Sequence, residues 1–306
     1  MIINKTPYRI SFFGGGTDYP NWYLKNGGEV ISSTINKYLY LSCRYLPKYF
    51  DHSYKIIYSK MELTNKINEI KHPVVRELVK KMKIKKGLEL HHDGDLPARS
   101  GIGSSSSFVV GCINVLNALQ NKNITKKDLA NKSLYFEQNI LKEIVGSQDQ
   151  IAAAYGGFNS IKFFKNGQFK VDKIKISKKN KEKLSNRLIL LYTGVQRTAQ
   201  NIASKYVKKL NNSKKNQMKD ILNFVPKAKL FLKDGKLDDF GDLLDESWQK
   251  KKELSKNISN YLIDEIYEKA LNNGSLGGKI LGAGGGGFFL FYVKSSKINN
   301  FKKAFK

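Results

Sequence analysis

The chain is short of the residues on which small cross-linked or metal-built proteins depend. Of its 306 residues only two are cysteine, Cys43 and Cys112, each inside an apolar segment and in no metal or redox spacing. That excludes a disulfide framework and leaves both as small buried hydrophobes. Four histidines include one adjacent pair, His91-His92, whose side chains point to opposite faces of a strand and make poor metal geometry. No apolar run approaches the roughly 18 residues of a membrane helix, and the N-terminus lacks a signal-peptide core. No membrane partner and a cytoplasmic location are therefore expected. Acid is also scarce: 26 Asp+Glu stand against 54 Lys+Arg, a net charge of +28.

So large an excess points first to nucleic acid. Most of it is lysine, however, scattered in pairs such as Lys80-Lys81, Lys85-Lys86 and Lys178-Lys179. There is no arginine-rich arm, zinc-finger spacing or ribonucleoprotein aromatic motif. The reading is a lysine-rich solvated surface with no nucleic-acid partner, whose field attracts anionic small molecules such as nucleotides and sugar phosphates. With 41% apolar residues the chain is globular, in one large or two modest domains.

What the chain does have is three glycine-bearing motifs. The central one is Asp95-Leu96-Pro97-Ala98-Arg99-Ser100-Gly101-Ile102-Gly103-Ser104-Ser105-Ser106-Ser107, between a strand-like run at 88–92 and an apolar helix predicted over 108–119. Glycines let backbone approach a ligand, any of the four serines suits a helix cap, and the free amides of a helix start attract phosphate. No Gly-Lys-Ser/Thr follows, so this is not a Walker loop. Earlier, a strand predicted over 5–13 breaks at Gly14-Gly15-Gly16-Thr17-Asp18. Later, Gly282-Ala283-Gly284-Gly285-Gly286-Gly287 formally matches a dinucleotide fingerprint but leads into the strand-like 288–293 and not a helix, which excludes that reading.

Between the motifs, strand-like runs fall at 28–35, 37–44, 54–58, 158–164, 168–176 and 187–192, and helical spacing at 72–82 and 125–141. After Tyr192-Thr193-Gly194 the pattern turns helical, at 198–210, 215–232, 237–254 and 261–272. The polar, lysine-rich stretch 178–186 is the best boundary, giving domains 1–183 and 184–306. Arg197, just past a strand end, is a candidate for a substrate phosphate, with a plain surface arginine as the other reading.

Taken together, Pro97-x3-Gly101-Ile102-x-Ser104-Ser105, the segment Arg9 to Tyr19 and the late glycine run resemble the three motifs of the GHMP kinases, in family order and over essentially the full length. Glu137 stands twelve residues before Asp149 of Asp149-Gln150, the galactokinase-like spacing. The resemblance implies an α+β fold, with an N-terminal ribosomal-S5-like domain and a C-terminal ferredoxin-like one. It implies ATP bound by Pro97, Arg99, Ser100, Gly101, Ile102, Gly103, Ser104, Ser105 and Ser106, its phosphates on Gly101 to Ser106, backed by Gly284 and Gly285. Mg²⁺ would sit on Ser105 and Glu137, Asp149 would be the catalytic carboxylate, and Arg9 would steady the moving phosphoryl group. The acceptor would meet Arg9, Gly15, Gly16, Thr17, Asp18 and Asp149. Gly15 and Gly16 replace the Glu-His pair of galactokinases, which makes galactose itself doubtful.

Within the family, Arg9-Ile10-Ser11-Phe12, Gly14-Gly15-Gly16-Thr17-Asp18 and Gln148-Asp149-Gln150-Ile151-Ala152-Ala153-Ala154-Tyr155-Gly156-Gly157 look like the D-glycero-D-manno-heptose 7-phosphate kinase subgroup. That likeness implies transfer to the C1 hydroxyl, for GDP-heptose and surface polysaccharide. A fucokinase-like sugar-1-kinase and a non-catalytic sugar and nucleotide sensor stay open, as does a homodimer.

Overall fold

One strand is the spine of the first half. β2 (Gly28–Tyr45) has 18 residues and, at ~3.3 Å each, extends about 60 Å. Along one edge it pairs antiparallel with β1 (Ile2–Phe13), from Ile2 opposite Cys43 to Phe13 opposite Ile31. Its other edge is shared: β5 (Leu88–Gly94) pairs with residues 39–45 and β6 (Phe158–Phe163) with residues 28–33. The two strand-like runs of the sequence are thus one strand whose polar Asn36 and Lys37 fall at the change of partner, where both are exposed. At the same point β1 is out of register. Pro7 faces Tyr38 and Arg9 faces Thr34, so Tyr8 alone opposes three residues of β2. Such an irregularity bends a strand and re-aims its side chains, here Arg9.

β3 (Tyr54–Ile57) pairs with β4 (Met61–Thr64) and, by a crossover through α2 (Pro73–Lys81), lies parallel to β5. β7 (Phe169–Lys173) extends the sheet beyond β6, for seven strands in all. After α1 (Pro20–Asn26), the helices of this half are α3 (Ser104–Leu119), α4 (Lys126–Tyr135) and α5 (Gln148–Tyr155). α3 and α5 pack on β1 and β2. The single helix expected over 125–141 ends at Tyr135 and continues as a π turn, Phe136–Ile140.

The computed structural model describes residues 1–195 and 202–306. The lysine-rich stretch expected as a boundary is itself helical, α6 (Lys178–Arg187), and positions 183 and 184 lie inside it. Its one buried side chain, Leu184, anchors a run whose other residues meet solvent. Among the described residues the second half has three antiparallel strands, β8 (Leu188–Tyr192), β9 (Ser275–Ile280) and β10 (Phe288–Val293), in the order β8-β10-β9. Around them stand α7 (Lys215–Asp234), α8 (Leu237–Lys252), α9 (Tyr261–Asn272) and α10 (Ile298–Ala304). The chain is α+β as expected, with these three strands among the described residues of its second half.

The halves share their cores. One apolar cluster joins Phe12, Phe13 and Ile31 to Val225, Phe240 and Leu244; a second joins Trp22, Val30 and Ile161 to Met218, Trp248 and Phe289. Phe240 sets its ring edge-on against Phe13 at 5.1 Å between centroids. Cys43 and Cys112 are buried and unpaired with each other, as apolar packing residues.

Candidate active site

A cleft of about 900 Å³ opens where β1, the serine-rich turn, the start of α5 and the glycine-rich turn converge. Arg9 stands at its centre, 3% exposed. Its Nε donates to Asp149 Oδ1 at 2.7 Å and its Nη2 to Oδ2 at 2.6 Å, a bidentate pair. The remaining nitrogen, Nη1, donates to the carbonyl of Gly101 at 2.7 Å, and the backbone N–H of Arg9 to that of Ile102 at 3.1 Å. One guanidinium therefore fastens the serine-rich turn to the carboxylate of α5, in the fork geometry that arginine provides.

The turn itself ends in a left-handed residue. Gly103, at φ 77°, is the N-cap of α3, and no serine caps the helix. A Cβ there would stand 3.2 Å from Arg9 Cγ and 3.4 Å from Asp149 Oδ2, so only glycine lets the helix start so close to the pair. Ser104, Ser105 and Ser106 then occupy the first turn, where backbone N–H groups have no intrahelical acceptor. These amides and the helix dipole make an anion seat that opens into the cleft. Arg99, Gly101 and Gly103 line it too. Pro97, Ser100 and Ile102 instead hold the turn's shape: Ser100 Oγ donates to Pro97 O at 2.6 Å, and Ile102 is buried.

The hydroxyl at Glu137 is that of Ser106, which donates to Glu137 Oε2 at 2.9 Å. Ser105, the expected partner, is exposed at the cleft, because consecutive helical residues point roughly 100° apart. Gln150 also donates to Glu137, from α5. Glu137 is buried, and burial pushes its carboxyl up to about 8.

At the other end of the cleft the turn after β1 carries Gly15, Gly16 and Asp18 on the wall. Asp18, 3% exposed, accepts from the N–H of Gly16 at 2.9 Å and of Gln148 at 3.3 Å. Burial raises its pKa, with the charge of Asp149 adding to the effect. A Cβ on Gly146 would fall 1.9 Å from its carboxylate. Thr17 does not reach the cleft. It is buried behind the turn, donating to Gly14 O at 2.7 Å and receiving the N–H of Glu29 at 3.1 Å.

The glycine-rich turn meets the serine-rich one through its last residues. Phe288 N–H donates to Ser100 O at 2.9 Å, and a Cβ on Gly287 would stand 2.2 Å from that same oxygen. Gly282 and Ala283 line the cleft, whereas Gly284 and Gly285 pack away from it, on Ile258 and Ile202. Arg197 lies outside the described residues.

Two family models match this chain, the GHMP kinases N terminal domain over residues 67–157 and the GHMP kinases C terminal over residues 228–306. The chain is 32% identical, over 320 residues, to the D-glycero-alpha-D-manno-heptose 7-phosphate kinase of Campylobacter jejuni, covering 100% of this chain and 93% of that one. It belongs to the GHMP kinases. A galactokinase of Pyrococcus furiosus is 24% identical, with 97% and 90% covered. The crystal structure of a D-glycero-D-manno-heptose 1-phosphate kinase from Bacteroides thetaiotaomicron superposes with a TM-score of 0.81 at 22% identity, over 100% of this chain and 92% of that one.

Several wall residues of this GHMP kinase were not legible as site residues. Ser11 and Gln148 line the cleft, each with a buried oxygen that has no partner among the described residues, and Lys279 lines it with an ammonium held by the Phe12 carbonyl. Ser11 follows Arg9 by two, the strand period, and Gln148 precedes Asp149, so the signals were adjacency and alternation. Tyr58, His72, His92 and Phe108 form a ring-lined pocket beside the serine-rich turn, His72 lying 4.8 Å from Phe108 and His92 5.1 Å between centroids. These come from four separate segments, and no spacing links them.

Among the described residues no cluster of three or more His, Cys, Asp or Glu forms a metal cage. The GHMP kinase nonetheless has donors that suit Mg²⁺. Glu137 Oε1 is buried without a partner, and a hydroxyl stands at its other oxygen. Mg²⁺ uses one or two protein oxygens and takes its remaining ligands from water and phosphate.

Proposed function

We propose that this GHMP kinase transfers the terminal phosphoryl group of ATP to the anomeric C1 hydroxyl of D-glycero-D-manno-heptose 7-phosphate, giving the 1,7-bisphosphate. The product would serve GDP-heptose and surface polysaccharide synthesis. The full-length likeness to a heptose 7-phosphate kinase supports the acceptor. The observation that carries the chemistry is the Arg9–Asp149 pair, gripped between an anion seat and a carboxylate-lined end.

The adenine lies among Tyr58, His72, His92 and Phe108, flat rings against a flat base, and the phosphates rest on the first-turn amides of α3. Ser106 and Glu137 would hold Mg²⁺, with Ser105 exposed on the same turn. When bound, the ion neutralises charge on the phosphates. Asp18 and the backbone of Gly15 and Gly16 take the sugar hydroxyls. Asp149 accepts the C1 hydroxyl's hydrogen bond and is in reach of its proton as that oxygen attacks the terminal phosphorus and ADP leaves. Arg9, already in place, offsets charge on the moving group, so the site supplies mainly position and electrostatics.

The test is incubation with ATP, Mg²⁺ and a panel of hexoses, heptoses and their phosphates, followed by phosphorus NMR. The expected result is a new anomeric phosphate on heptose 7-phosphate. Preferred transfer to fucose or another free sugar would replace this acceptor. Binding of sugar and nucleotide with no transfer would make the protein a sensor.

A further inference from the structure

We propose that Lys279 and Ser11 bind a phosphoryl oxygen in the cleft, so that Lys279 is a second cation, beside Arg9, in contact with substrate. This rests on the kinase reading above and extends it to residues that reading does not use.

Lys279 lies on β9, in the second half of the chain, yet its Nζ donates to Phe12 O of β1 at 2.7 Å. It is 4% exposed and lines the cleft. Burying an ammonium is costly unless it is paired and its protons are bonded, and a single carbonyl serves only one of three. The charged groups that act on it most are Arg9, which opposes its charge, and Asp18, which favours it. Asp18 is already engaged by two backbone N–H groups and Asp149 by Arg9. Lys251 of α8 and Glu143 line the same cleft, and Lys251 donates to the carbonyls of Ile280 and Gly282 next to Lys279 on the chain.

Ser11 is an independent observation. It is 4% exposed, lines the cleft, and its Oγ has no partner. It shares a face of β1 with Arg9 and immediately precedes the carbonyl that holds Lys279. A Cβ on Gly15 would stand 3.6 Å from that hydroxyl, so the glycine leaves it open. A buried cation short of acceptors and a buried hydroxyl without one are what an anionic oxygen would complete.

Burial and the Arg9 cation bring the Lys279 ammonium down to about 7. Free enzyme therefore carries the charge below that pH and loses it above. An arriving phosphoryl oxygen favours the charged form and raises the pKa in the complex. The wild-type kcat/KM should then fall as pH rises through about 7, while the matching limb of kcat, which reports the complex, is displaced upward.

The experiment is steady-state kinetics from about pH 6 to about pH 9 on wild type, Lys279→Met, Lys279→Arg and Ser11→Ala, with thermal unfolding to show that each is folded. Lys279→Met should lose about 10- to 100-fold in kcat/KM, as for removal of a charged hydrogen bond. Lys279→Arg should lose the limb near neutrality, and Ser11→Ala, the variant least able to disturb folding, should lose several-fold. The oxygen belongs either to the donor's terminal phosphate or to the acceptor's own. In the first case Lys279→Met lowers kcat with heptose and heptose 7-phosphate alike. In the second the loss falls on KM for heptose 7-phosphate and disappears with heptose. A folded Lys279→Met and Ser11→Ala with wild-type kinetics overturn the proposal, as does a falling limb near neutrality that persists in Lys279→Arg. If wild type phosphorylates no sugar, the kinase reading fails first; if it does and Lys279→Met matches it, only this proposal fails.

Discussion

Arg9 illustrates how far one residue can be read from sequence. Its motif and its spacing to Gly14 and Asp18 were legible, and so was the interval between Glu137 and Asp149. The bond between Arg9 and Asp149, 140 positions apart, was not, because only the fold brings them together. That Ser106 bonds Glu137 was not legible either, because the phase of the helix that begins after Gly103 decides which serine faces it. Ser11 had only its strand spacing from Arg9 to point to it, and Lys279 carried no sign of its role, since burial defines it. At this scale Asp149→Asn is the decisive change. It keeps the shape, removes the charge that Arg9 clamps, and should lower turnover at least ~100-fold; the melting temperature should also fall, because buried Arg9 loses its partner. Steady-state kinetics on the purified variant measure it, and full activity would reassign the residue.

Among the elements, period-two runs located every strand of the first sheet except β4, whose four residues are too few to show a pattern. The π turn at residues 136–140 was invisible in a sequence that reads as continuous helix. Its wider winding accompanies Glu137 at the buried end of α4, and such turns collect at functional sites. The glycine-rich run was legible as a motif leading into a strand, but not which of its glycines meets the serine-rich turn. Gly287, at φ 95°, meets the serine-rich turn because a backbone without Cβ can lie against Ser100 O. Gly287→Ala should therefore destabilise the protein by about 1–3 kcal/mol through strain and overpacking. It should also raise KM for ATP more than it lowers kcat, since it displaces the anion seat and leaves Asp149 alone. Denaturant titration and kinetics on the same preparation test both parts.

For the whole molecule, the resemblance of the ordered motifs to the GHMP kinases was enough to imply an α+β kinase in two parts, and the +28 charge suits a protein that draws in anions. What they hid is that the parts are not separable in packing. Each apolar cluster takes residues from both sides of α6. Residues 1–183 expressed alone should fail to fold cooperatively, and the full chain should unfold in one transition by both circular dichroism and tryptophan fluorescence. Two resolved transitions would refute this. The same stitching governs traffic. Phe288 to Ser100 and Lys279 to Phe12 are hydrogen bonds across the floor of the active site, like rivets through the base of a jaw. Parting the jaw there would break both bonds, so passage of nucleotide and sugar through the open mouth asks less of the structure than a gape.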